Sequence, residues 1–319
     1  MWWIAVVMAA CYAPDAPTGI PCNASFECPL GQTCDRSVSP PTCGNGITGG
    51  GDAPEQPDGP APADASDGGL GAWGPPVLVM QPVGNEDDPT LTGDLLDLYF
   101  NRGTSTILHA TRSSPTAAWD QPVIVPELGL ATTPELEPDG LTIYLGSDRV
   151  GTAGDLDIWI STRPTRADAW SLPVRVVELC TAVVDSNAAV TADHLHVVFA
   201  RRGASGRGIE VFAASRATRA DPFGTATTLD ELGSTASDGD AMLTDDLLSV
   251  FFYSTREGAG DLYFATRANP NDPFGTPQPI TELNTPDFVE QDPWISPDGR
   301  HLFFSSNRSG TLAIYESTR

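Results

Sequence analysis

From residue 72 onward, apolar clusters and polar turns alternate in a pattern that recurs about every 50 residues, a period typical of propellers and solenoids. Each copy opens with a run whose apolar residue is Leu91, Leu136, Val190, Leu243 or Ile295, followed by a turn bearing Asp94, Asp139, Asp193, Asp246 or Asp298. Asp139-Gly140 and Asp298-Gly299 are strong hairpin signals, because glycine accepts positive φ. Leu95, His194 and Leu247 stand where that glycine would be, which predicts a different turn type or strain. The second run is apolar on consecutive residues: Leu98-Tyr99-Phe100, Ile143-Tyr144-Leu145, Val197-Val198-Phe199, Val250-Phe251-Phe252 and Leu302-Phe303-Phe304. Such strands are buried on both faces, as in a sheet held between two others. A third run carries Ile107-Leu108, Ile158-Trp159, Val211-Phe212, Leu262-Tyr263 and Ile314-Tyr315 and closes on Arg112, Arg163, Arg216, Arg267 and Arg319. A looser fourth run follows Trp119, Trp170, Phe223 or Phe274, with prolines that suit an outer edge strand.

Four antiparallel strands per copy make one propeller blade. The last copy reaches Arg319 without an outer strand, while Trp73-Gly74-Pro75-Pro76-Val77 precedes the first copy with no partner of its own. The N-terminal strand is therefore expected to complete the last blade. The predicted fold is all-β, a five-bladed β-propeller over residues 72–319 following a small disulfide-rich segment and a flexible linker.

The last copy also carries a family resemblance. Asp292-Pro293, then Ser296-Pro297-Asp298-Gly299, Phe303-Phe304-Ser305-Ser306, Arg308, Ile314-Tyr315 and Arg319 together resemble the TolB-type β-propeller repeat. The motif is strong in the second and fifth copies and weak in the third. The resemblance implies a propeller of the bacterial envelope that acts as an interaction scaffold. TolB itself has six blades and an additional N-terminal domain, and this sequence shows neither, so the resemblance supports the fold more than the role. The whole layout resembles predicted lipoproteins of myxobacterial type.

The N-terminal part changes the picture from a free propeller to a tethered one. Residues 1–10 form an apolar run too short to span a bilayer and of secretory length. Met8-Ala9-Ala10-Cys11 resembles a lipobox, so Cys11 is the expected lipidation site. Residues 11–43 form the anchor and a module with Cys22, Cys28, Cys34 and Cys43, crowded into a stretch too small to build a core. Disulfides substitute for burial in such segments, and their gaps are longer than those of structural zinc pairs. Four cysteines leave three pairings open. Residues 44–71, rich in Gly, Pro, Ala and Asp, form a flexible acidic linker.

Charge then narrows the partners. The formal net charge is -25, from 42 acidic and 17 basic residues, and every basic one is arginine. Nucleic acids and anionic lipid surfaces, which need clustered cations, are excluded as partners. The expectation is a monomer in the cell envelope at the outer membrane, touching the membrane only through its lipid and binding an envelope protein or glycan.

Recurrence sorts the candidate chemistry. Glu86, Asp185, Asp238 and Glu290 share one repeat position, with Ala131 the exception, and are expected to ring the channel mouth and bind a cation or a basic segment. Asp88, Asp240 and Asp292 recur beside them in a turn-forming or channel-lining role. The arginines after the second strand, Arg102, Arg149, Arg202, Arg256 and Arg308, suit pairs such as Arg149 with Asp157 and Arg256 with Asp261. Thr92, Thr191, Thr244 and Ser296 share a position held in the second copy by Glu137, a one-off carboxylate where chemistry is to be sought. The four histidines show no metal spacing, and no metal or cofactor is predicted, Ca2+ at the carboxylate ring being the one ion with a case. Cys180 reads as a lone, half-buried thiol. No second unrepeated group completes an acid and base pair with Glu137, so a non-catalytic scaffold is the leading function. A glycoside hydrolase or lyase is the alternative.

Overall fold

The computed structural model describes residues 33–35, 42–44, 71–203 and 208–319. The chain divides into two units, Met1–Ala63 and Asp64–Arg319. In the first, β1 (Thr33–Asp35) and β2 (Thr42–Gly44) form an antiparallel pair whose backbone register sets position 34 opposite position 43. The expectations for the signal run, for Cys11, Cys22 and Cys28 and for the linker lie outside the described residues, as do the side chains of Cys34 and Cys43.

The second unit is a propeller. Its N-terminal strand is β3 (Val77–Leu78). The first blade comprises β4 (Glu86–Leu91), β5 (Asp97–Arg102), β6 (Thr106–Thr111) and β7 (Val123–Ile124). After a short 3-10 turn at Pro126–Leu128 the second comprises β8 (Thr132–Leu136), β9 (Thr142–Ser147), β10 (Asp157–Thr162) and β11 (Val174–Arg175). The third comprises β12 (Asp185–Val190), β13 (His196–Arg202), β14 (Ile209–Ser215) and β15 (Thr227–Thr228). The fourth comprises β16 (Asp238–Leu243), β17 (Ser249–Ser254), β18 (Asp261–Thr266) and β19 (Gln278–Pro279). The fifth is β20 (Glu290–Ile295), β21 (His301–Ser306), β22 (Ala313–Thr318) and, returning from the N-terminus, β3. The inner strands β4, β8, β12, β16 and β20 contact one another in a closed ring.

Closure is as the pattern implies, shifted slightly along the chain. Leu78 pairs with Tyr315 and Val77 with Glu316, while Gly74 N donates to Thr318 O at 2.9 Å and Ser317 Oγ donates to Gly74 O at 2.7 Å. Trp73 serves as the fifth aromatic marker. Each third strand ends in an arginine that stacks on its blade's marker: Arg112 on Trp119, Arg163 on Trp170, Arg216 on Phe223, Arg267 on Phe274 and Arg319 on Trp73, all 4.2–4.3 Å from guanidinium carbon to ring centroid. The same arginines donate through Nε to the carbonyls of Leu95, Gly140, His194, Leu247 and Gly299 at 2.6–2.8 Å. All five of those turn residues lie at φ between 62° and 72°. The turns are therefore alike, and Leu95, His194 and Leu247 carry the strain that glycine avoids.

Hydrophobic burial explains the consecutive apolar runs. The cores lie between blades: Leu91, Leu98 and Phe100 of the first blade pack with Trp294, Phe303 and Ile314 of the fifth, and Tyr99 and Ile107 pack with Leu136, Ile143 and Trp159 of the second. Trp73 joins Leu262, Leu302 and Phe304 in the core between the fourth and fifth blades. The middle strands thus present both faces to apolar neighbours.

Candidate binding site at the central channel

The four carboxylates expected at the channel mouth are placed elsewhere. Glu86, Asp185, Asp238 and Glu290 begin their inner strands but are 0–1% exposed. Each is held by an arginine of its own blade: Arg102 at 2.5 Å, Arg201 at 2.5 Å, Arg256 at 2.7 Å and Arg308 at 2.8 Å. Loop amides and hydroxyls supply further donors, as when Thr285 N and Oγ1 donate to Glu290. The structure does not bring these four together; each neutralises a guanidinium inside its blade. In the third blade the partner is Arg201 rather than Arg202, and neither Arg149–Asp157 nor Arg256–Asp261 is formed. Where Ala131 removes the carboxylate, Arg149 donates instead to the carbonyls of Leu128 and Leu130 at 2.8 and 3.1 Å, and Asp157 takes Arg175 at 3.3 Å.

The channel is lined two positions further on. Asp88, Thr133, Asn187, Asp240 and Asp292, one per blade, all adopt φ between 45° and 53°. Each sits at a β-bulge, where the register of the inner strand on its neighbour shifts. Asp and Asn tolerate this left-handed conformation, whereas Thr133, being β-branched, is strained by it. The five positions meet across the axis. Asn187 Nδ2 donates to Asp88 Oδ1 at 3.1 Å, and Asp88 N donates to Asp292 Oδ2 at 3.4 Å. Gln291 Nε2 donates to Asp87 Oδ1 at 2.9 Å and to Asp292 Oδ2 at 3.1 Å. One carboxylate oxygen from each of Asp87, Asp88 and Asp292 lies within 4.8 Å of the other two.

Glu135 of β8 completes the lining. Burial, followed by the Asp240 charge, pushes its carboxyl up to about 8. Asp240 is pushed up to about 6, chiefly by burial, with a hydrogen bond from Asp292 acting against it. Asp88 and Asp292 are held well above the usual carboxylate range, again by burial first and then by neighbouring carboxylates. Among the described residues no ion pair reaches Asp87, Asp88, Glu135, Asp240 or Asp292. Four blades thus contribute carboxylates to one space in which no described arginine pairs with them, in contrast to the arginine-paired set two residues earlier on the inner strands. Apolar side chains stand exposed at the same end of the ring: Val83, Leu130 and Phe288 in loops that lead into inner strands, and Val150 between β9 and β10.

Recurrence in the sequence does point to Asp88, Asp240 and Asp292 as channel-lining. Glu135 and Asp87 are not singled out there, although Glu135 has a legible signal: its counterparts are Thr90, Ala189, Met242 and Trp294. Glu137 lies beyond the opposite end of β8, buried, with Oε2 2.8 Å from His194 Nδ1 and 3.3 Å from Arg219 Nη2. His109 and His301 pair with Asp97 and Glu316, both at 2.7 Å. Cys180 is half-buried, its thiol pushed up to about 12 mainly by burial, which makes it unreactive.

A five-bladed β-propeller with an acidic channel, whose carboxylates have no ion-pair partner among the described residues, is the class of molecule these features define. Solved structures to which the chain is similar include TolB from Acinetobacter baumannii, at 14% identity over 76% of this chain and 56% of that one, with a TM-score of 0.47. A putative TolB from Agrobacterium tumefaciens is similar at 15% identity over 72% of each chain, TM-score 0.44. The catalytic domain of Coprinopsis cinerea GH62 alpha-L-arabinofuranosidase is similar at 11% identity over 78% of this chain and 97% of that one, TM-score 0.49. The protein spans little more than half the length of the Acinetobacter TolB. No protein-family model matches the sequence, and no curated protein does.

Proposed function

We propose that this protein is a lipid-anchored scaffold of the cell envelope whose propeller binds, without catalysis, a cationic segment of an envelope protein or glycan at the channel. The observation that supports this reading is the set of five carboxylates, Asp87, Asp88, Glu135, Asp240 and Asp292, that converge with no cation among the described residues paired to them. Buried or half-buried acids that raise one another's proton affinity store unfavourable charge, and an arriving ammonium or guanidinium relieves it. The exposed Val83, Leu130, Val150 and Phe288 at the same end supply apolar contact for a partner that carries such a group, the usual division of labour between the anchor and rim of an interface. Neutralisation of Asp88 and Asp292 together by Asp→Asn should abolish binding of a lysine-bearing peptide or amino sugar in titration calorimetry. Binding unchanged by the double substitution refutes the site. Anchoring rests on Cys11: the Cys11→Ala variant should leave the membrane fraction.

One observation favours a second reading. A protonated Glu135 facing Asp240 across the channel is the kind of split acid pair that glycoside hydrolysis employs. Release of reducing sugar from arabinan or xylan, lost in Glu135→Gln, would establish catalysis; no release from a panel of such polymers removes this alternative.

A further inference from the structure

At the other end of the inner strands, the rule that governs four blades is broken in the second. Thr92, Thr191, Thr244 and Ser296 donate their hydroxyls to Asp94, Asp193, Asp246 and Asp298 at 2.6–2.7 Å, tying each turn to its strand. Glu137 occupies that position in the second blade, so Asp139 loses the hydroxyl and keeps only the amide of Leu141 at 2.8 Å. Two carboxylates now stand two residues apart. The next blade adds His194 from its own turn, and one ligand atom from each of Glu137, Asp139 and His194 lies within 4.8 Å of the other two.

The valences of this triad are unfinished. Glu137 is 2% exposed, and its Oε1 is enclosed with no hydrogen-bond partner. His194 Nδ1, though 2.8 Å from Glu137 Oε2, is off the line a hydrogen bond requires. Arg219 stands over the group: Nη1 is 2.8 Å from His194 Nε2, and Nη2 donates to Thr142 Oγ1 at 2.9 Å and to Glu137 Oε2 at 3.3 Å. Since arginine only donates, His194 Nε2 is an acceptor here and the ring proton sits on Nδ1, towards Glu137. The Arg219 side chain is 51% exposed and so retains a path into solvent.

We propose that Glu137, Asp139 and His194 form a binding site for a late first-row divalent cation of the Zn2+ type, and that Arg219 competes for it. One imidazole and two carboxylates are ligands such an ion accepts, with water completing a tetrahedron. Glu137 Oε2 and His194 Nδ1 already stand 2.8 Å apart, and the exposed Asp139 can move to close the triad around an ion with ligands at about 2.0–2.2 Å. A cation at Nδ1 takes the place of the ring proton, which moves to Nε2. Nε2 then becomes a donor and repels the Arg219 guanidinium into solvent. The metal and the arginine therefore exclude each other, and the site differs in ligand type from the all-oxygen channel.

The test is titration of the full chain, stripped with EDTA, with Zn2+ by calorimetry and with Co2+ by visible absorption, which reports the nitrogen ligand. One equivalent should bind, weakened at least ten-fold by Glu137→Gln and by His194→Asn, the latter a residue that tolerates the turn's positive φ. Arg219→Ala should tighten binding, and Asp88→Asn with Asp292→Asn should leave it unchanged. Absence of saturable Zn2+ binding overturns the proposal. So does binding that survives both Glu137→Gln and His194→Asn in variants whose thermal unfolding matches the parent, or binding that weakens in Arg219→Ala.

Discussion

Glu135→Gln tests the electrostatics of the channel in the most direct way. In the folded protein the Glu135 carboxyl is pushed from an ordinary 4.5 up to about 8. The folded state therefore holds this proton more tightly than the unfolded chain. Its contribution to stability is fully present below pH about 4.5 and is lost progressively as pH rises to about 8, because the unfolded state ionises first. The rise from 4.5 to about 8, at about 1.4 kcal/mol for each tenfold change in proton affinity, corresponds to a loss on the order of 5 kcal/mol above pH 8 and about 3 kcal/mol at pH 7. Glutamine has nearly the same shape and no proton to lose, so Glu135→Gln should leave stability unchanged at pH 4 and raise it by up to that amount at pH 7 to 8. For a propeller of this size the pH 7 gain is a rise of about 6–12 °C in Tm. The assay is thermal and urea unfolding of both proteins between pH 4 and pH 9 with EDTA present, which keeps cations out of the channel. A gain that does not grow with pH, or a variant less stable than the parent at pH 8, refutes the claim that burial, with the Asp240 charge beside it, holds the Glu135 carboxyl protonated in the folded state.

The arginine-paired carboxylates should behave in the opposite sense: Glu290→Gln leaves Arg308 and Thr285 short of their acceptor and should cost about 3 kcal/mol in urea unfolding. Trp73→Ala removes both the apolar fill between the fourth and fifth blades and the ring under Arg319, at a cost of about 3–5 kcal/mol. Hydrogen exchange should show β22 losing protection before β9. Leu247 holds φ 63° on a half-buried turn, so Leu247→Gly should raise stability by up to about 1 kcal/mol, whereas the same change at Gly-compatible positions has nothing to relieve.

Much of the architecture was legible because a propeller writes each structural requirement five times. The apolar runs of the middle strands, the aromatic markers and the arginines that end each third strand all recur at one spacing, and the stray Trp73 segment fits the one vacancy they leave. The turn glycines were misleading in only one respect. Leu95, His194 and Leu247 adopt the same left-handed turn as Gly140 and Gly299, since the Arg Nε bond to the turn carbonyl and the packing around it outweigh about 1–2 kcal/mol of strain per residue. The site was harder to read for a physical reason. Repeat position shows that residues are equivalent but not which way they face, and a bulge near the start of every inner strand changes which carboxylates reach the axis. Glu86, Asp185, Asp238 and Glu290 recur as strongly as Asp88, Asp240 and Asp292, yet an arginine of the same blade claims each of the former and no cation among the described residues claims the latter. Glu135 and the pairing of Glu137 with His194 depend on contacts between blades, which no spacing along the chain displays.

The central claim is that the acidic channel is the recognition site of a tethered scaffold. Chemical crosslinking and capture from the native envelope, with the parent protein and the Asp88→Asn, Glu135→Gln, Asp292→Asn triple variant side by side, tests it most directly. A discrete partner carrying basic or amine groups should be captured by the parent, released by rising salt, and missed by the triple variant, which unfolds at or above the parent's Tm. Equal capture by the two proteins would contradict the claim.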